Sequence, residues 1–137
     1  MNAIVRINDE NPCYSSLVPS SREEQKLFFN AKENPQYKVS DFINKTFAFS
    51  NIFMEKTEIM EKDENGNPTG VVTDAIKTVF ITNDGVGIVS TSKGIANAVY
   101  GLIQVFGTPD TWEEPMVVEV QQVELKNGNR TFKLCVV

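Results

Sequence analysis

The chain of 137 residues contains no histidine and only two cysteines, Cys13 and Cys135. Without histidine, a serine–histidine or cysteine–histidine nucleophile cannot be built, and most zinc sites are excluded. No apolar run approaches the roughly 20 residues that a membrane-spanning helix needs. The N-terminus lacks a basic region followed by an apolar core, so no signal peptide is predicted. We therefore expect a cytoplasmic protein that is not an enzyme, with no metal, cofactor or membrane partner. Two free thiols are favoured over one disulfide.

The net charge of −5 is unevenly distributed. Residues 21–45 hold five cations against four carboxylates, whereas residues 46–137 hold seven against twelve. An acidic chain argues against broad, non-specific binding to nucleic acid, because that affinity comes largely from cationic contacts. A narrow groove lined by a few lysines stays open.

The strongest helical pattern covers residues 92–106, followed by Gly107 and Pro109 as a stop signal. Thr91 or Ser92 supplies the predicted N-cap. The apolar positions of this helix share one stripe and consist of Ile95, Val99, Leu102, Ile103 and Phe106.

The N-terminal part of the chain predicts an irregular arm over residues 1–20, followed by a short helix. Residues 20–24 contain two overlapping capping boxes, so a helix of about ten residues should follow and end near Pro35. Leu27 and Phe28 are expected to dock this helix on the rest of the chain.

Five strands are predicted, over residues 46–60, 74–82, 86–91, 116–125 and 131–137. The first is long, and its alternation slips after Ser50, which indicates a bulge or bend. Polar turns with glycine separate the others, at residues 63–70, 83–85 and 126–130. The first of these turns is interpreted as a solvated hairpin loop, since it lacks the bidentate glutamate of a calcium loop. In the last strand Phe132, Leu134 and Val136 are expected to face inward.

This order of elements predicts a mainly β fold, a five-stranded OB-fold Greek-key barrel. One helix lies between strands 3 and 4, and an N-terminal helical extension precedes the barrel. The domain organisation is then an arm over residues 1–20 and a single OB-like domain over residues 21–137. An α+β sheet with one helix on an open face is the alternative, because both folds need the same apolar stripe.

An OB-fold commonly binds oligonucleotides on the face of strands 2 and 3, with aromatic rings for stacking and cations for the backbone. Parity leaves two alternatives for strand 2: either Phe80 is exposed and available for stacking, or it is core and Lys77 lies outside. Trp112 lies among acidic residues, which favours packing or a protein contact. The candidate DNA-binding residues are Lys56, Lys77, Phe80, Lys93, Phe53 and Tyr37.

Several segments in order resemble the small single-stranded DNA-binding proteins of tailed bacteriophages of Gram-positive hosts. They are residues 37–45, the long strand that follows, residues 92–95, 106–109 and 112–116, and the resemblance spans roughly residues 25–137. It implies an OB-fold, sequence-independent binding to single-stranded DNA and a role in phage DNA replication, in the host cytoplasm. Several such phage proteins are acidic, so the net charge does not oppose this interpretation.

Two functions follow from this reasoning. The first is a non-enzymatic protein that binds single-stranded DNA, with replication proteins as further partners. The alternative is an acidic protein-interaction or virion accessory module that does not bind nucleic acid. The oligomeric state is left open.

Overall fold

The computed structural model describes residues 6–128 and 130–137, which form a mainly β structure with two helices. The elements in chain order are β1 (Cys13–Ser15), α1 (Arg22–Glu33), β2 (Tyr37–Lys38), β3 (Thr46–Phe49), β4 (Asn51–Lys62), β5 (Pro68–Ile81), β6 (Gly87–Ser90), α2 (Lys93–Phe106), β7 (Met116–Glu124) and β8 (Arg130–Val136). Short 3-10 turns lie at Val39–Phe42 and Pro109–Thr111. In the described ranges, no helix has the length and apolar character needed to cross a membrane.

The strands form two sheets. The first has the order β1-β4-β5-β6-β2, and the second has the order β3-β7-β8. All neighbouring strands are antiparallel except β2 and β6, which pair in parallel through Tyr37–Ile88 and Lys38–Val89. The sheets are open, and among the described residues no ladder joins β2 or β6 to β8. The closed barrel predicted from the sequence is therefore not formed, although the mainly β character is confirmed.

The bend predicted near Ser50 is confirmed, and it carries the chain from one sheet to the other. β3 pairs with β7 in the second sheet, and β4 pairs with β5 in the first. Ser50 donates its backbone N–H to the carbonyl oxygen of Ile81 at 2.8 Å. Because Ser50 stands between the strands as an extra residue, the face that looks into the core changes parity: Phe49 is buried before it and Ile52 after it.

The main core lies between the two sheets and α2. Phe80 meets Phe47 and Phe49 edge to face, with ring centroids 5.2 and 4.8 Å apart, and the rings of Phe47 and Phe49 are tilted at 5.9 Å. α2 contributes the predicted apolar stripe, of which Ile95, Val99, Leu102 and Ile103 are buried, but Phe106 is 44% exposed. The helix ends at Gly107, whose φ of 80° is accessible to glycine at little cost.

α1 covers the opposite face of the first sheet. Its N-cap is Ser21, whose hydroxyl oxygen accepts the N–H of Glu24 at 3.2 Å, as one of the two predicted capping boxes requires. Phe28 packs edge to face on Phe53 at 5.7 Å, and Ala31 is buried against the same strand face. As a result, the start of β4 and the end of β5 are buried on both faces.

Several local expectations are corrected by tertiary pairing. Cys13–Ser15, inside the arm predicted to be irregular, forms β1 because it pairs with β4. β5 begins at Pro68 rather than near residue 74, since the whole of β4 offers it a partner. Ser92 occupies the N-cap of α2, but its side chain makes no capping hydrogen bond. Val136 is 47% exposed rather than facing inward. Residues 1–5 of the predicted arm and Asn129 of the last predicted turn lie outside the described residues.

Candidate nucleic-acid interface

A cavity of about 690 Å³ lies where the edges of the two sheets fail to meet. Lys38 on β2 and Ser90 on β6 line one side, and Arg130 and Phe132 on β8 line the other. Lys93, the first residue of α2, closes one end. Here α2 approaches β8 closely, because a Cβ built on Gly94 would lie 2.6 Å from the carbonyl oxygen of Phe132. Glycine at this position therefore brings Lys93 and β8 together.

The lining of this cavity has an unusual charge for an acidic chain. It includes three cations and no carboxylate, together with five hydroxyl side chains and one aromatic ring. The cations are Lys38, Lys93 and Arg130, and the structure pairs none of them with a carboxylate among the residues it describes. The cavity thus offers charge and hydrogen bonds to an anion, with an apolar ring beside them.

A second cavity of about 470 Å³ adjoins the first, since Ile59, Thr91 and Lys93 line both. It adds Lys56 from β4 and Asp74 from β5. We refer to the two cavities together as the basic groove, whose charged and aromatic lining consists of Lys38, Lys56, Asp74, Lys93, Arg130 and Phe132. Four of its lining side chains are therefore cationic and one is acidic.

Lys56 differs from the other cations because acidic residues already hold it. Its ammonium group forms a short hydrogen-bonded ion pair with Asp9 and lies 3.7 Å from the carboxylate of Asp74. The hydrogen bond with Asp9 raises the pKa of Lys56, and the same contact lowers the pKa of Asp9 below its usual 3.8. Asp9 reaches this position because Ile7 is buried nearby and donates its N–H to the Tyr100 hydroxyl at 3.0 Å.

The N-terminus of α2 adds a further anion-binding feature to the groove. The first N–H groups of a helix have no intrahelical acceptor, and Ser92 does not cap them with its side chain. A helix N-terminus favours an anion through these N–H groups and the helix dipole. Lys93 and the free N–H groups of the first turn of α2 therefore both favour an anion at this end of the groove.

Two of the six candidate residues lie beneath α1, away from the groove. Phe53 is 5% exposed and packs against Phe28. Lys77 donates to the carbonyl oxygen of Lys32 at 2.8 Å and lies 3.8 Å from Glu55. Both contacts join α1 to the first sheet, so the structure gives these side chains a packing role there.

Phe80 is a correction. Its side chain is fully buried in the main core against Phe47 and Phe49, so the alternative with an exposed stacking ring is wrong. The other alternative, with Phe80 in the core, is confirmed for Phe80, but the opposite face of the strand is not open to solvent either, because α1 buries Val79 and binds Lys77. The parity argument assumed one solvent-facing side of the strand, whereas both sides of this part of β5 are covered.

The remaining candidates divide between two places. Lys56 and Lys93 line the basic groove, as described above. Tyr37 is 47% exposed and meets Phe42 edge to face at 5.7 Å, but it lines a different cavity beside Asn83 and Pro115. Trp112 packs on Phe49 and lines neither cavity of the groove, in agreement with its predicted packing role.

Sequence reasoning missed Lys38, Arg130 and Phe132 as members of one site. Lys38 belongs to a segment, residues 37–45, whose only signal is the family resemblance, and Arg130 lies in a predicted turn. Phe132 had the parity of a core residue, and it is indeed half-buried against the core while also lining the groove. No local pattern in the sequence relates these three positions.

The described residues contain no group of three or more His, Cys, Asp or Glu side chains placed to hold a metal ion. Cys13 and Cys135 are free cysteines, as the sequence favoured.

Comparison with protein families matches this chain to the family described as phage single-stranded DNA-binding protein, of the Phi29 phage type. The match covers residues 9–137, nearly the whole chain. No curated protein and no solved structure matches this chain.

Proposed function

Since the chain belongs to the phage single-stranded DNA-binding protein family, it binds single-stranded DNA in phage DNA replication, and we propose that it does so through the basic groove. The function predicted from the sequence is thereby confirmed, and so is the resemblance. No observation favours the alternative of an interaction module that does not bind nucleic acid.

The observation that carries this assignment is the distribution of charge. The chain has a net charge of −5, yet the larger cavity of the groove has three cations and no carboxylate. Affinity for nucleic acid comes mainly from cations that replace the counterions of the phosphates. Lys38, Lys93 and Arg130 are the free cations of this lining, and they surround one continuous space.

Phe132 and the hydroxyl groups supply the rest of the interaction. Base–aromatic stacking tolerates any sequence because every base has a π-face. A base stacked on Phe132 would place its neighbouring phosphates near Arg130, two residues away on the same strand. The five hydroxyl side chains of the lining can donate to phosphate oxygens without distinguishing bases. We therefore expect sequence-independent binding.

We also propose the OB-fold for this chain, with residues 21–137 as one domain. The bent pair β3 and β4 corresponds to the long first strand of that fold, and α2 lies between β6 and β7, where the fold has its helix. Binding of this kind needs no catalytic residue, metal or cofactor. From a role in phage DNA replication we further propose the host cytoplasm as its location and replication proteins as further partners.

The test is fluorescence anisotropy of a labelled thymine homopolymer, titrated with the wild type and with Lys93→Ala/Arg130→Ala. Loss of two phosphate contacts should weaken binding and reduce the slope of log K against log salt by about 1.4. Homopolymers of adenine and cytosine should show the same losses. A label on the DNA is required because Trp112 lies outside the groove and cannot be relied on to report binding.

Lys45→Ala/Lys133→Ala is the matched control, since it removes two exposed lysines that line neither cavity. If both double variants weakened binding equally, net charge rather than the groove would explain the affinity. If neither changed it, the groove would not be the binding site.

A further inference from the structure

Beyond the groove, the outer face of α1 carries a stripe with the chemistry of a second DNA contact. Positions 22, 25, 26, 29 and 30 follow the i, i+3, i+4, i+7, i+8 spacing of one helix face. They line a shallow cavity of about 330 Å³ and consist of Arg22, Gln25, Lys26, Phe29 and Asn30. We call this set the α1 stripe.

Phe29 is the unusual member of the α1 stripe. It is 59% exposed, whereas its neighbour Phe28 is half-buried against Phe53. α1 therefore docks through Phe28 and Ala31, and the fold makes no use of the Phe29 ring. An exposed ring next to two cations is the combination that binds an unstacked base and its phosphates.

The charge of the stripe points to the same class of ligand. Arg22 and Lys26 make no ion pair with any described carboxylate. Of the carboxylates of this helix, Glu24 accepts from Ser20 and Glu33 pairs with Lys32, and neither these two nor Glu23 line the stripe cavity. The stripe lining itself contains two cations, two amides and one ring, with no acid.

The basic groove leads towards α1. Val89 lines the larger cavity of the groove, and its side chain also packs against the buried cluster that includes Ala31 of α1. Lys38 lines the same cavity as Val89, and only residues 34–37 separate it from the end of α1 along the chain. Arg22 and Phe29 are about 10 Å apart along the helix, at 1.5 Å per residue. The C-terminal end of α1, with Asn30 of the stripe in its last turn, is therefore the part of this helix that lies next to the groove in the fold.

We propose that single-stranded DNA bound in the basic groove continues onto the α1 stripe, where Phe29 stacks on a base and Arg22 and Lys26 bind phosphates. This inference rests on the proposed function, because it extends the DNA path beyond the groove. It predicts that substitutions in the α1 stripe weaken binding to oligonucleotides long enough to reach the stripe, and leave binding to shorter ones unchanged.

The experiment measures the affinity of Phe29→Ala for a short thymine oligonucleotide of about five nucleotides and a long one of about 20. On the long one the affinity should fall by about fivefold or more, the loss expected for one stacked base. The short one fits in the groove, so its affinity should not change. Lys26→Ala should reduce the salt slope by about 0.7 with the long oligonucleotide only.

Phe106→Ala and Lys45→Ala are the matched controls. Phe106 is an exposed ring at the end of the other helix, and Lys45 is an exposed lysine outside the stripe and the groove. Neither should change the affinity for either oligonucleotide. Circular dichroism of each variant confirms that it is folded, which is expected because the substituted side chains are exposed.

Failure of the stripe and failure of the groove give different results. If Lys93→Ala/Arg130→Ala weakens binding to both oligonucleotides but Phe29→Ala weakens neither, the groove stands and the continuation is overturned. Equal losses of Phe29→Ala on both lengths would also overturn it, since the stripe would then be the primary contact. Unchanged DNA affinity with a changed sedimentation coefficient would instead assign Phe29 to self-association.

Discussion

The ion pair between Asp9 and Lys56 should lower the affinity of the groove for single-stranded DNA. A carboxylate that holds a groove lysine occupies the place that a phosphate would take. Replacing Asp9 with Asn removes the negative charge and leaves a side chain of similar size, so Lys56 becomes available to DNA. We expect Asp9→Asn to bind single-stranded DNA more tightly than the wild type.

The magnitude follows from counting cations. Each phosphate neutralised on a single strand contributes about −0.7 to the slope of log K against log salt. With Lys38, Lys93 and Arg130 engaged, the groove should give a slope of about −2.1, and Lys56 adds about −0.7 when it is released. Because Lys56 also lies 3.7 Å from Asp74 and the pair is solvent-exposed, we expect an affinity gain of only about two- to fivefold.

The assay is the anisotropy titration described above, repeated over a series of salt concentrations. Glu10→Gln is the matched control, because it makes the same charge change one residue away and Glu10 has no ion pair among the described residues. In a Lys56→Ala background, Asp9→Asn should give no more than the gain seen with Glu10→Gln. The low pKa of Asp9 keeps its carboxylate charged near neutral pH, so the effect should not vary from pH 6 to 8.

The reasoning would be refuted if Asp9→Asn and Glu10→Gln gave the same affinity and the same salt slope. That result would mean that Lys56 does not contact DNA, and that the smaller cavity is not part of the binding path.

Four further predictions concern the stability of the fold and the position of Trp112. Gly94→Ala should lower the melting temperature and weaken DNA binding, because its Cβ would press α2 away from the carbonyl oxygen of Phe132. Gly101→Ala is its control on the same helix: a Cβ there meets open space, so this variant should be more stable by about 0.5–1 kcal/mol in urea denaturation. Thr78→Val should stabilise by about 1 kcal/mol in the same assay, since the Thr78 hydroxyl is buried without a hydrogen-bond partner in the part of the chain described. Burial, and then the charge of Asp110, raises the pKa of Tyr14 above 10.0. The folded state therefore favours the neutral phenol, and the stability of the protein should fall as the pH rises above 10.0 through the raised pKa. Thermal denaturation should show a smaller fall for Tyr14→Phe, which has no phenol to ionise. Trp112 fluorescence should change little on DNA binding, because the indole N–H is held by the Phe106 and Gly107 carbonyls outside the groove, and strong quenching would contradict this position.

The elements of secondary structure were largely predictable because their signals are local. The apolar period of α2 with Gly107 after it, the capping box at Ser21 and the slip in alternation after Ser50 all correspond to observed features. Such signals depend on residues within one or two turns of one another, so a sequence pattern contains them. The boundaries of β5 were missed because they depend on the length of its partner β4.

The candidate site was predicted only in part. Of the six candidate residues, Lys56 and Lys93 line the groove that we propose as the DNA site. The sequence left open which face of strand 2 is exposed, because it could not indicate that α1 packs over Phe53 and Val79. Periodicity reveals that a strand is amphipathic but does not reveal what covers its second face.

The sequence alone determined the class of protein: no histidine chemistry, one helix among strands, and an order of segments that resembles phage single-stranded DNA-binding proteins. The tertiary structure decided where an acidic chain holds its free cations. Lys38, Lys93 and Arg130 are far apart in the chain and meet only because the two sheets stay open at the β2 and β8 edges. Contacts between distant residues depend on packing across the whole core, which no local pattern encodes.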